Sequence, residues 1–241
     1  MNDEFYIGYL PKAPPHTGRF TRNAVISLGA IALGAGAILA ITLPYFGAGE
    51  FDFGNPREYT GTVRCETEPR LAATDGTDYL LVGYGKNRVA PEICGASGSE
   101  ITLSGTLIQR EGKQLLEITT PLQIRGSGSA SPVATPVGRF TLTGEIVDSK
   151  CYFGVMNPAE GRMHRACAVL CLKGGVPAVF VARDRTGATV HLLIIGPDGK
   201  AMNNQLLRWV GEGVEATGEV ARQGKWLVWH LDPASIRLSA N

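Results

Sequence analysis

Charge is missing from one long stretch of this chain. From Asn23 to Gly49 there is no Asp, Glu, Lys or Arg, and Ala24 to Phe46 is almost wholly apolar. A basic surplus is missing too: 23 Lys and Arg face 22 Asp and Glu, for a net charge of +1. Without a concentrated basic face there is no electrostatic footprint for phosphate backbones, so no nucleic-acid partner is expected. Neither G-x-x-x-x-G-K-[ST] nor a strand-linked G-x-G-x-x-G occurs, which removes the usual phosphate cradles. No Cys-x-x-Cys-His occurs, so covalent c-type haem is not indicated. Glu145, Asp148 and Glu160 offer carboxylates, but nothing in the sequence pairs them with a nucleophile and a base. No catalytic residue, and no enzyme, is therefore expected.

The uncharged run predicts a transmembrane helix over residues 23–48, because at about 1.5 Å per residue it spans a hydrocarbon core of about 30 Å. It is roughly twice the length of a cleavable signal's apolar region and follows a long N-terminal segment, so it reads as an uncleaved single-span anchor. Lys12, Arg19 and Arg22 precede it, while Glu50 and Asp52 follow. The positive-inside rule then makes residues 1–22 cytoplasmic and everything after the span extracytoplasmic, where disulfides persist. Tyr45 and Phe46 are placed for the outer interface. Ala30 with Gly34, and Ala32 with Gly36, form small-xxx-small pairs that let a second helix approach, which points to a membrane-protein partner. The stretch from Phe5 to Pro15, rich in aromatics and proline, suits either a docking peptide or rings resting in the headgroups.

Beyond the span the pattern is mainly β. Runs at Tyr59–Arg64, Asp78–Tyr84, Glu100–Gln109 and Gln114–Ile118 are separated by Gly-, Asp- and Pro-containing turns, and Arg110–Lys113 reads as a hairpin. This gives a first module over residues 58–125. Cys65 and Cys94, its two cysteines, would close a loop of about thirty residues as a disulfide. Residues 126–137 have linker composition. Residues 138–240 then repeat the first module: Gly98–Ile118 aligns with Gly211–Leu231, Thr60–Val63 with Thr143–Ile146, and Tyr79–Gly83 with His191–Gly196. Two tandem five-stranded OB-like barrels are the economical reading. Gly105 and Gly218 supply bends within strands. A short helix or turn is expected at Asn204–Val210.

The second module carries an insertion that the first lacks. Cys151 follows a strand, and His164, Cys167 and Cys171 fall at i, i+3 and i+7 of a helix over residues 163–172, on one face. The spacing Cys-x12-His-x2-Cys-x3-Cys leaves several chemistries open. Cys151, His164, Cys167 and Cys171 could hold Zn²⁺ or Cu(I), since thiolates and imidazole suit these ions. Cys151 could equally form a disulfide with Cys167 or Cys171. A bond between Cys167 and Cys171 is disfavoured by helix geometry. A thiol-redox role would need a lowered cysteine pKa, with Lys150, His164 and Arg165 as nearby positive charge. His16, His191 and His230 stand alone. Trp209, Trp226 and Trp229 are either stacking platforms or, more simply, core.

The block Asp148-x-x-Cys151-Tyr152, His164-x-x-Cys167-Ala168-x-x-Cys171, Gly175-x-Pro177 resembles that of small exported bacterial proteins of uncharacterised function. The resemblance covers the second module only. It implies an extracytoplasmic module of a kind found beside redox or metal-related functions; together with the anchor and its flanking charges, the expected location is the bacterial inner membrane, with the C-terminal modules in the periplasm or other extracytoplasmic space. The expected function is thus a membrane-anchored binding or accessory protein, such as a non-catalytic subunit of a membrane redox complex. The alternatives are metal handling through the Cys/His cluster and thiol redox chemistry.

Overall fold

The computed structural model describes residues 14–42, 49–119, 123–130, 133–183 and 186–239. The chain divides into two units, residues 1–46 and 47–241. The described residues of the first unit form one helix, α1 (Pro15–Thr42). Proline at its first position has no N–H to leave unpaired and is pre-set near helical φ. None of its 28 residues is buried, and the helix is long and apolar enough to cross a membrane. It begins ahead of the uncharged run, so Arg19 and Arg22 lie on it along with Ala30, Ala32, Gly34 and Gly36. The stretch from Phe5 to Ala13, and Tyr45 and Phe46, lie outside the described residues.

The second unit holds two closed barrels. The first is built from β2 (Arg57–Arg64), β3 (Arg70–Ala73), β4 (Asp78–Val82), β5 (Ser99–Arg110) and β6 (Lys113–Ile118), with α2 (Pro91–Gly95) between β4 and β5. Counting the short β1 (Glu50–Phe51) ahead of it and β7 (Gln123–Ser127) after it, both of which pair with β5, the sheet has seven strands. The second barrel runs β8 (Thr135–Asp148), β9 (Ala178–Arg183), β10 (Thr189–Ile195), β11 (Gly213–Gln223) and β12 (Trp226–Leu231), with β13 (Arg237–Leu238) on its edge. Helix α3 (Gly161–Lys173) is inserted between β8 and β9, and α4 (Asn203–Leu206) precedes β11.

Both barrels close in one order. Strands β2, β3, β4, β6 and β5 return to β2, as β8, β9, β10, β12 and β11 return to β8. In each, the third and fifth strands run parallel and the rest antiparallel, which is the OB-type arrangement expected of the repeat. Equivalent glycines sit where strands press together. A Cβ on Gly61 would lie 2.4 Å from the Ala72 carbonyl oxygen, and one on Gly144 would lie 2.2 Å from that of Val181.

Three details depart from the sequence pattern. The four residues of β3 carry a strand that no long apolar run announces; Arg70, buried within it, takes its place through hydrogen bonds. Helix α4 stops at Leu206, and the rest of the stretch to Val210 is turn. The segment 126–137 contributes Gly126 and Ser127 to β7 and Thr135 to Val137 to β8. Between them, Ser129 is bound to the Thr62 hydroxyl and to Arg64.

The barrels share a core. Leu80, Val82, Ile108 and Leu115 of the first pack in one cluster with Val147, Tyr152, Phe153, Val179 and Trp226 of the second. The seam is also polar and paired: Arg70 donates to Asp78 at 3.0 Å and to the Gln223 carbonyl at 2.8 Å, and the Trp226 indole donates to the Asp78 carbonyl at 2.8 Å. Trp229 packs edge-on against Phe180 inside the second barrel. Trp226 and Trp229 are therefore core, as their apolar strand positions require, while Trp209 is half-buried beneath the Arg208 guanidinium.

Cys65 and Cys94 form the disulfide that ties the end of β2 to α2, with Cα atoms 5.6 Å apart. Closing a loop of this length restricts the unfolded chain by about 3–4 kcal/mol. Replacing both residues with serine should lower the stability of the second unit by roughly that amount, measured by urea denaturation of the residue 47–241 unit within the full chain. Addition of a reductant should then change the wild type and leave the double variant where it was.

Candidate functional site

The site grows from the end of β8. Asp148 is its last residue and is fully buried. One carboxylate oxygen accepts from the Cys151 backbone N–H at 2.9 Å, and the other lies 3.0 Å from His164 Nε2. The first contact folds the chain into a short π-helical turn, Cys151–Val155, so Cys151 sits on that turn just past the strand. The second fixes the rotation of α3, whose N-terminus is capped by Glu145 accepting from the Gly161 N–H at 2.6 Å. The one-face spacing of His164, Cys167 and Cys171 then aims all three at Cys151.

Cys151 Sγ lies 3.8 Å from Cys171 Sγ and 3.9 Å from Cys167 Sγ. All three are free thiols, Cys151 and Cys171 buried and Cys167 partly exposed. Cys151, His164 and Cys167 bring ligand atoms within 4.8 Å of one another, as do Asp148, Cys151 and Cys171. Hydrogen bonding between Cys151 and Cys171 pushes the first thiol up and the second down, so Cys171 gives up its proton before Cys151.

The positive charge at the thiols comes from the other barrel. Lys86, on the loop after β4, donates from Nζ to Cys167 Sγ at 2.7 Å and stands 3.7 Å from Cys171 Sγ. The bond to Cys167 holds the Lys86 ammonium above the ordinary lysine range. Lys150 clamps that loop, donating to the Gly83 carbonyl at 2.8 Å and the Gly85 carbonyl at 2.6 Å and pairing with Glu117 at 2.9 Å. Arg88 N–H donates to the Gly174 carbonyl at 2.8 Å. Gly174 is required for this approach, since a Cβ there would lie 1.7 Å from the Lys86 carbonyl oxygen. A mostly apolar cavity of about 290 Å³, lined by Phe51, Phe53, Tyr84, Val155 and Met156, leads to Cys167 and Lys86.

The remaining residues singled out in the sequence have other work. Arg165, expected near the thiols, pairs with Glu212 at 2.6 Å instead. Glu160 binds Arg183 at 2.6 Å. His16 is exposed on α1 and His230 is half-buried on β12. Lys86 and Glu117 were invisible in the sequence because they reach the site across the barrel seam, and neither belongs to a motif. The Gly174-Gly175 pair was the one available signal of a close approach.

His191 lies at the seam between Tyr152 and Phe153, with Nε2 3.2 Å from Glu111. Burial lowers its pKa to about 4, against the opposing pull of Glu111. A histidine whose pKa is depressed on folding takes up its proton in the unfolded chain first, so its contribution is complete above about pH 6.5 and is lost as pH falls toward 4. The loss reaches about 2–3 kcal/mol. Denaturation midpoints at pH 7 and pH 4.5 should differ by more in the wild type than in His191→Gln, and equal differences would assign the acid sensitivity elsewhere.

The chain matches no family model, no curated protein and no solved structure. The fold and the site together define a tandem OB-type protein with an apolar N-terminal helix and, at the seam of its barrels, two overlapping sets of candidate ligands, Cys151–His164–Cys167 and Asp148–Cys151–Cys171.

Proposed function

We infer that this is a membrane-anchored protein that holds a thiophilic metal ion, Zn²⁺ or Cu(I), through Cys151, Cys167, Cys171 and His164. The observation that carries the reading is the pair of Sγ separations, 3.8 and 3.9 Å. Thiolates bound to one tetrahedral ion at about 2.3 Å are spaced at about 3.8 Å along an edge. Asp148 against His164 supports it further, because ligating imidazoles commonly donate their second N–H to a carboxylate that sets the tautomer. Lys86 offsets thiolate charge. The residues toward Pro177 that resemble exported bacterial proteins, and the charge asymmetry around α1, support an extracytoplasmic site on a bacterial inner membrane. An accessory role beside a membrane partner draws on the small-residue positions of α1.

The test is elemental analysis of the full chain, purified in detergent without chelator, with thiols counted on the same sample. Stoichiometric metal with three reduced cysteines beside the Cys65–Cys94 disulfide is the expected result. A chain free of metal, with Cys151 linked to Cys167 or Cys171, would replace the metal reading with a structural or redox disulfide.

A further inference from the structure

Lys86 Nζ donates a short hydrogen bond to Cys167 Sγ, at 2.7 Å, which brings nitrogen and sulfur within bridging distance of a single atom. The approach is built in. Lys150 holds the loop by two carbonyls, Arg88 ties it to Gly174, and glycine at position 174 lets loop and helix meet. Of the three free cysteines, Cys167 is the one that is partly exposed, and it borders a largely apolar cavity. Dioxygen, being small and apolar, partitions into such a space. Lys86 stands a full ångström farther from Cys171, 3.7 Å against 2.7 Å, which makes Cys167 the reacting thiol.

We propose that Lys86 and Cys167 are an oxidative modification site, in which dioxygen joins them through one oxygen atom as Nζ–O–Sγ. The step balances: one ammonium, one thiolate and one O₂ give the bridge and one water. The N–O and O–S bonds form, and the O–O bond breaks. Two of the three ammonium protons leave in the water, and the four electrons come equally from nitrogen and sulfur. The bridge removes both the Cys167 sulfur and the Lys86 cation from the cluster. It would therefore lock the barrel seam covalently and empty the cluster of one metal ligand. It does not depend on the metal reading, since it needs the Lys86–Cys167 pair alone.

The experiment uses the full chain in detergent, stripped with chelator and exposed to air, followed by intact-mass measurement and peptide mapping. The expected product is heavier by one oxygen and lighter by two hydrogens, reverts with a thiol reductant, and maps to a Lys86 peptide joined to a Cys167 peptide. Lys86→Arg, which keeps a cation over Cys167, and Cys167→Ser should both lack it. Cys167 found free, in a disulfide with Cys151, joined to Lys86 without oxygen, or as sulfinic acid beside free Lys86 would overturn the proposal. Metal content of the same preparation before stripping separates the two readings. Metal without a later bridge sinks only the bridge, and a bridge from protein that never held metal sinks only the metal site.

Discussion

Cys151→Ser should abolish metal retention, because this residue alone lies within 4 Å of both other thiols. If the wild type is loaded a thousandfold above its dissociation constant, binding contributes about 4 kcal/mol of apparent stability. For a unit of this size that corresponds to roughly 10 °C in melting temperature. With Zn²⁺ added, the variant should therefore melt about where the metal-free wild type does, while the two metal-free proteins differ by only the cost of a buried hydroxyl. Asp148→Asn keeps the shape of the residue that orients His164 and should weaken binding by about 10- to 100-fold. Thermal melts with and without Zn²⁺, with metal content after gel filtration, provide the measurement. Retention of metal at wild-type level by Cys151→Ser would remove the cluster from consideration as a metal centre.

Glu117→Leu should be among the most damaging single changes in the second unit. Its carboxylate pairs with the Lys150 ammonium at 2.9 Å, with side chains 6% and 3% exposed. Removing one member of such a pair leaves a buried charge with only the Gly83 and Gly85 carbonyls, at a cost of about 3–5 kcal/mol. The double variant Lys150→Met/Glu117→Leu should recover much of that loss, because two apolar side chains can replace a buried ion pair nearly without cost. The loop bearing Lys86 is held by the same lysine, so both variants should expose Cys167. Urea denaturation measures the first effect and the rate of Cys167 alkylation the second. A single variant as stable as the wild type, with Cys167 alkylated no faster, would show that the clamp does not hold the seam.

The repeat of Gly98–Ile118 in Gly211–Leu231 was enough to imply two equivalent barrels, because hairpin turns and strand glycines act through local geometry. The uncharged run was likewise enough for α1, whose character depends on length and apolarity alone. The one-face spacing of His164, Cys167 and Cys171 is a property of helix periodicity, and it survives in α3. Local regularities of this kind were legible from sequence. Contacts between distant residues were not: nothing in the chain order connects Lys86 with Cys167, Lys150 with Glu117, or Arg70 with Gln223. These pairings arise where the two barrels bury a common face, and the low dielectric there makes each partnered charge a requirement of packing. Arg165 shows the converse. Its position two residues from Cys167 suggested a role at the thiols, yet the helix turns it toward Glu212, and only the tertiary structure could decide that the cation belongs to Lys86.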